Sequence, residues 1–154
     1  MKDILGMGLL LSASALFGAG YAAAQSNYTV KSPDKRIEVR IRAADRIKYD
    51  VLLNGKALLQ DSTVSMNVDH VTFGVNPKVI AAKERSSNQL LEPVVRQKFA
   101  KIRENYNEIR LQMEDGFAVT FRAYNEGAAY RLETTLRQNQ VKIYSEDEIG
   151  RAHV

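Results

Sequence analysis

Between Gly116 and Glu133 the chain reads Gly-Phe-Ala-Val-Thr-Phe-Arg-Ala-Tyr-Asn-Glu-Gly-Ala-Ala-Tyr-Arg-Leu-Glu, and no other stretch narrows the fold as far. Phe117, Val119 and Phe121 alternate with Ala118, Thr120 and Arg122. Successive side chains of a strand point to opposite faces, so this period of two describes a strand with one buried face. Asn125-Glu126-Gly127 interrupts the run, and an extended segment resumes from Ala129 to Leu132. A loop of about three residues ending in glycine suits a hairpin in which the glycine, here Gly127, takes a positive φ angle. Upstream, Tyr106-Asn107-Glu108-Ile109 opens another alternating run through Leu111 and Met113, closed by Asp115-Gly116. Three consecutive antiparallel strands, a meander, are therefore predicted.

The same period runs through the first half. Tyr28 to Lys31 reads as a short strand, ended by Ser32-Pro33-Asp34, in which proline and aspartate both favour reversal. Ile37, Val39 and Ile41 alternate with Glu38, Arg40 and Arg42, and Ile47, Tyr49, Val51 and Leu53 repeat the pattern up to Asn54-Gly55. That dipeptide is a strong short-range hairpin signal. Lys56 to Leu59 returns, and Val64, Met66 and Val68 form a further half-buried run. No window carries a helical stripe. The fold class is all-β, with strands at the spacing of an antiparallel β-sandwich.

From His70 to Lys101 the pattern weakens, and a loop-rich segment is expected. Val71 to Val75 and Val79 to Ala82 have strand character, whereas Lys83 to Gln89 is polar and reads as a loop. Pro93 argues against a central strand at that point. Val94 to Ile102 fits a twisted edge or an irregular connection.

Residues 1–24 have the form of a secretory signal peptide: Lys2, an apolar run from Ile4 to Phe17, then Ala22-Ala23-Ala24 before Gln25. The mature protein is expected to be exported, periplasmic or extracellular, with no membrane span once the signal is removed. With no cysteine among its 154 residues, the chain has neither disulfides nor thiolate metal sites, so its core must hold it together. The net charge of +4 is dispersed rather than gathered on one face with stacking aromatics, which excludes nucleic acid as a partner class.

Few residues offer chemistry. His70 and His153 are the only histidines, and neither has a catalytic or metal-binding spacing around it. A glycosidase needs two carboxyl groups facing one bond. Of the candidates, Glu108 alternates with the apolar positions of its strand and reads as part of a solvated face, while Glu114, Asp115 and Glu126 fall in turns. Glu133 is harder to dismiss, because Arg131 could stand beside it on a groove-facing surface. Cross-strand pairing of Arg122 or Arg131 with a carboxylate is the structural alternative. Tyr106, Tyr124 and Tyr130 could stack on a sugar, but tyrosine is also a routine strand residue, and packing is the simpler account. Asn27-Tyr28-Thr29 has the form of a glycosylation acceptor. No catalytic, cofactor-binding or metal-ligating residue is assigned.

Tyr106-Asn107-Glu108-Ile109, followed by Phe121-Arg122-Ala123-Tyr124-Asn125-Glu126-Gly127-Ala128-Ala129-Tyr130-Arg131 and preceded by Ser32-Pro33-Asp34, closely resembles the N-terminal domain of glycoside hydrolase family 97. The resemblance runs from near Tyr28 to near Tyr144. Glu126 stands where the family often has Asp, and Leu132 where it often has Phe. The resemblance implies an exported α-glucosidase or α-galactosidase of three parts. These are an N-terminal β-sandwich of the galactose-mutarotase-like super-sandwich type, a (β/α)8 barrel and a C-terminal β-domain. In such enzymes the catalytic carboxylates come from the barrel, and a calcium ion is held mainly by barrel glutamates with help from the N-terminal domain. No family catalytic or metal residue maps onto this chain, so no cofactor is expected within it.

The expectation is thus a partial N-terminal sandwich over residues 25–148, inactive alone. It would pack on the barrel of the same polypeptide and help wall a carbohydrate cleft. The rival is a free-standing carbohydrate-binding or cell-envelope module, which the absence of tryptophan weakens. In a partial sandwich, Phe117, Val119 and Phe121 would face a half-built core. Residues 149–154 are expected to be a non-native tail. Glu148-Ile149-Gly150-Arg151-Ala152-His153-Val154 can be encoded by a run that resembles a common short-read sequencing adaptor.

Overall fold

The computed structural model describes residues 26–92 and 101–152, and these are built from strands without a helix. In chain order they are β1 (Asn27–Lys31), β2 (Ile37–Ala43), β3 (Ile47–Leu53), β4 (Lys56–Val68), β5 (Val71–Phe73), β6 (Val79–Leu91), β7 (Ile102–Met113), β8 (Phe117–Tyr124), β9 (Ala128–Thr134) and β10 (Ile143–Ala152). They form two sheets, β1-β2-β3-β4-β10 with β5 also on β4, and β6-β7-β8-β9. Every pairing is antiparallel.

The predicted meander is β7-β8-β9. Ile109 stands opposite Phe121 and Leu111 opposite Val119, while Tyr130 and Leu132 stand opposite Phe121 and Val119 from the other side. This register gathers one apolar face, which closes on Val30, Val39, Ile41, Tyr49 and Val64 of the first sheet. Phe117, Val119 and Phe121 are 4%, 0% and 1% exposed, so the half-built core expected for them is not what they face. Each such buried side chain stabilises the fold by about 1.5–3 kcal/mol. Phe73 on β5 stacks on Phe117 and closes one end.

The β3–β4 turn uses positive φ at both Asn54 (50°) and Gly55 (80°), the twist-matched form that Asn-Gly favours. The β8–β9 loop departs from expectation. Gly127 is not among the positive-φ residues, and the loop closes by Tyr124 N–H donating to Gly127 O at 2.8 Å. The left-handed glycine of the meander is Gly116 (φ 82°), which ends the preceding hairpin.

Three stretches are more regular than the sequence suggests. Lys83–Gln89, read as a loop, lies within β6 and pairs residue by residue with β7, from Ala81 opposite Gln112 to Leu91 opposite Ile102. As an edge strand largely exposed on both faces, β6 is held by its backbone ladder, so its side chains need not alternate. Lys56–Leu59 and Val64–Val68 belong to one strand, β4, whose register against β3 shifts twice: Leu52 faces Ala57 but Val51 faces Leu59, and Tyr49 then faces Ser62. Gln60 and Asp61 thus oppose Asp50 alone, and Asp61 takes φ 51° and donates its N–H to Asp50 Oδ1 at 2.8 Å. The extra residue shifts the phase, which hides the continuity from a period-two reading. Finally, the acidic Ser145–Asp147 lies within β10, whose backbone runs against β4 as far as Ala152 opposite Leu59. Residues 1–25, over which a signal peptide is expected, Pro93 to Ala100 and His153 lie outside the described residues.

Candidate functional site

The alternation that sends Ile109, Leu111, Val119 and Phe121 inward places Tyr106, Glu108, Arg110, Thr120, Arg122 and Tyr124 on the outer face of the second sheet. Glu108 stands opposite Arg122 on one side and Arg85 on the other. Arg122 Nε lies 2.8 Å from Glu108 Oε2, and Arg85 Nε lies 2.9 Å from Oε1. Glu108 was expected on a solvated face, yet its side chain is 12% exposed, enclosed by the two arginines. The Arg122 guanidinium also covers the Tyr106 ring, and Arg85 donates to the Tyr106 hydroxyl at 2.7 Å. Tyr106 is consequently buried although it points away from the core, and Tyr124 packs beside it with ring centres 5.2 Å apart.

A second group crosses β8. Arg110 Nε donates to Glu133 Oε2 at 2.8 Å over the small Ala118, and Arg131 holds the other oxygen. The hydrogen bond from Arg110, joined by that from Arg131, holds the Glu133 carboxyl below the usual range against the opposing push of burial. Thr120 Oγ1 is buried in this region without a partner. Glu108 and Glu133 accept from guanidinium groups, and Glu104, also on this face, accepts from Gln89 Nε2 at 2.6 Å and lies 3.7 Å from Arg122, so each is occupied by a donor. The cross-strand alternative foreseen for Arg122 is the arrangement present. Arg131 instead pairs along its own strand, and Glu133 faces this lattice rather than a groove.

An apolar cleft lies between the sheets, where β9 passes β3. It measures about 430 Å³ and is lined by Val39, Tyr49, Val51, Leu59, Phe121 and Tyr130, with Glu148 at its rim. Tyr49 donates to Glu148, and the Tyr130 hydroxyl lies 3.3 Å from Glu146 and 3.4 Å from Glu148. Burial, with the neighbouring Glu148 carboxylate, pushes the Tyr49 hydroxyl up to about 12 and raises Tyr130 as well. Of the tyrosines singled out in the sequence, Tyr106 and Tyr124 belong to the outer lattice and Tyr130 to this cleft. Tyr49, Glu146 and Glu148 were missed. Two carboxylates spaced two apart in an extended segment share a face, and that spacing was the available signal.

The remaining candidates are quiet. His70 sits in the β4–β5 turn at φ 68°, its ring centre 4.1 Å from that of Tyr144. Glu114, Asp115 and Glu126 fall in turns, and Asn27-Tyr28-Thr29 lies in β1. Among the described residues no group of three or more histidines or carboxylates is placed to hold a metal. No helix among them is long and apolar enough to cross a membrane.

Comparison with known proteins agrees with this layout. Residues 30–149 match the family model described as Glycosyl-hydrolase 97 N-terminal. A retaining alpha-galactosidase of Bacteroides thetaiotaomicron is 35% identical over 109 residues, which is 70% of this chain and 16% of that protein. Among solved structures, a beta-arabinopyranosidase superposes with a TM-score of 0.68 at 22% identity, over 77% of this chain and 20% of its own. A glycoside hydrolase family 97 enzyme from Pseudoalteromonas sp. strain K8, in complex with acarbose, gives 0.66 at 21% identity, over 79% of this chain and 20% of its own. At such identities the two structures speak for the fold alone. The chain spans no more than 20% of the length of these relatives.

Proposed function

The chain belongs to glycosyl-hydrolase family 97, as its N-terminal domain, and from that premise we propose that it is the non-catalytic β-sandwich of an exported α-glycoside hydrolase. Its role is to pack on a (β/α)8 barrel of the same polypeptide and help wall the carbohydrate cleft. Residues 1–24 direct export as a signal peptide, and calcium belongs to the whole enzyme rather than to this part of it. The observation that carries the reading is the state of the outer-face carboxylates: Glu108 and Glu133 are both committed to arginines. A hydrolase needs one carboxyl group to hold a proton and a second to attack or to activate water, and neither of these is free to do so. The 35% identical relative, an alpha-galactosidase, supports an α-linked sugar as the substrate of the whole enzyme.

The test is hydrolysis of aryl α-galactosides and α-glucosides by the purified chain, with and without calcium. No turnover is expected. Turnover that survives purification and is lost on Glu108→Gln or Glu133→Gln would overturn the reading. Sequencing the locus from source DNA gives a second check, an open frame running into a barrel being the expected result.

A further inference from the structure

The outer face of the second sheet carries more positive charge than it neutralises. The register of its strands places Lys83, Arg85, Arg110, Arg122 and Arg131 there, against Glu104, Glu108 and Glu133, an excess of two positive charges. Lys83 stands directly opposite Arg110, and the three carboxylates go to arginines instead. Like charges in register repel one another.

A pocket opens on this face between β8 and β9, where the small Ala129 stands opposite Arg122. It measures about 130 Å³, well above the about 10–15 Å³ that one water needs, and Thr120, Arg122, Tyr124 and Arg131 are among its walls. Thr120 is 3% exposed, and its hydroxyl has no hydrogen-bond partner. A buried hydroxyl in that state costs stability. Beside two guanidinium groups it is a donor suited to an anion. Neither guanidinium is used up. Arg122 gives Nε to Glu108 and Nη1 to Tyr124, and Arg131 gives Nη2 to Glu133, which leaves N–H groups on both.

We propose that this pocket binds one oxyanion group, a carboxylate or a phosphate, held between the guanidiniums of Arg122 and Arg131 and by the Thr120 hydroxyl. Guanidinium meets either group through paired N–H donors, and the anion offsets part of the excess charge. A water would satisfy the hydroxyl but leave the charges as they stand, and a neutral sugar would do the same. The Arg131 side chain, 64% exposed, keeps the pocket within reach of solvent and so of a ligand. This goes beyond the function proposed above, which assigns the outer face no ligand. Anion binding tests the pocket and hydrolysis tests that function, so either can fail without the other.

The experiment follows the amide NMR spectrum of the intact chain during titration with acetate, galacturonate or inorganic phosphate, chloride holding the ionic strength constant. Expected are saturating shifts confined to β8 and β9 around Thr120, Ala129 and Arg131. Arg131→Gln should weaken binding about tenfold or more, as the loss of a charge-assisted hydrogen bond does. Thr120→Val keeps the shape and removes the hydroxyl; it should weaken binding too, with a melting temperature unchanged or higher, because no hydrogen bond is lost. An unchanged spectrum over β1, β2 and β3 would show that both variants fold. Acetate or galacturonate binding more tightly than phosphate would assign the pocket to a carboxylate, and galacturonate binding more tightly than acetate to that of a sugar acid. Phosphate binding the tightest would assign it to a phosphate group. Each of these supports the proposal. No saturating shift, shifts spread over the lysines and arginines of both sheets, or binding indifferent to either variant would overturn it.

Discussion

The guanidinium of Arg122 lies 4.2 Å from the centre of the Tyr106 ring, and this contact keeps an outward-facing tyrosine at 2% exposure. The same guanidinium neutralises Glu108, so one side chain serves both a ring and a charge. Replacing it uncovers the ring and strips an enclosed carboxylate of one partner. Arg122→Ala is expected to cost about 2–3 kcal/mol in urea denaturation. Arg122→Lys should recover only part of that, since an ammonium cannot stack and bridge at once. Arg131→Ala, at an exposed position, should cost under about 1 kcal/mol; equal losses at the two arginines would contradict this account.

Ser32 is 1% exposed, accepts the Ile37 N–H at 3.0 Å and donates to Asp34 Oδ1 at 2.6 Å. Its hydrogen bond, then that of Arg36, holds the Asp34 carboxyl down at about 2. A depressed carboxyl contributes stability that is present above its unfolded value of about 3.9 and is lost as pH falls through the folded one. In an NMR titration Asp34 should therefore have its midpoint near 2. Ser32→Ala should move that midpoint upward and cost about 1–2 kcal/mol, because the Ile37 N–H loses its acceptor.

Tyr49 predicts behaviour at the alkaline end. Its hydroxyl, raised to about 12 chiefly by burial, keeps its proton in the folded state after an unfolded tyrosine, near 10, has lost its own. Stability should be fully present below about pH 10 and fall as pH rises through about 12. Tyr49→Phe, which keeps the ring, should flatten that decline. A decline unchanged in the variant would place its cause elsewhere.

Glycine substitutions should separate sharply. A Cβ on Gly74, at φ 84°, would sit 2.1 Å from the Val64 carbonyl oxygen, a backbone atom that cannot step aside. Gly74→Ala is expected to cost about 3 kcal/mol or more, combining overpacking with left-handed strain. Gly127→Ala, with nothing within 4 Å and no positive φ, should change stability by less than about 0.5 kcal/mol. Thermal melts of the pair decide it, and a severe loss at Gly127 would mean that its loop needs the left-handed conformation after all.

Legibility in the sequence followed burial. β2, β3 and the meander were readable because each buries one face, which forces Val39, Ile41, Ile109 and Phe121 into alternation. β6 was not, because exposure on both faces leaves its side chains unconstrained. Tyr106 and Glu108 looked like a packed ring and a solvated carboxylate. Only the register, which brings Arg85 and Arg122 to both of them, shows that they form one enclosed unit. The cleft was illegible for a related reason: Tyr49 and Glu148 are separated by 99 positions, and nothing local to either announces the other.

The bulge in β4 has a consequence for chain length. Two residues stand between Leu59 and Ser62 where the partner strand has only Asp50 between Val51 and Tyr49. β4 therefore holds a residue of slack here, as it does again at Leu58, which stands between Ala57 and Leu59 where the partner residues Leu52 and Val51 are adjacent. Removing Asp61 would leave an ordinary ladder at this point, with Leu59 and Ser62 still facing inward, at the loss of an exposed contact to Arg42. Removing one residue near Met66 would instead rotate either the inner half of β4 or its β5 turn onto the wrong face. The sandwich is thus tolerant of shortening beside Asp50 in its longest strand of the first sheet, and homologous chains of unequal length can share this register by spending or keeping a residue there.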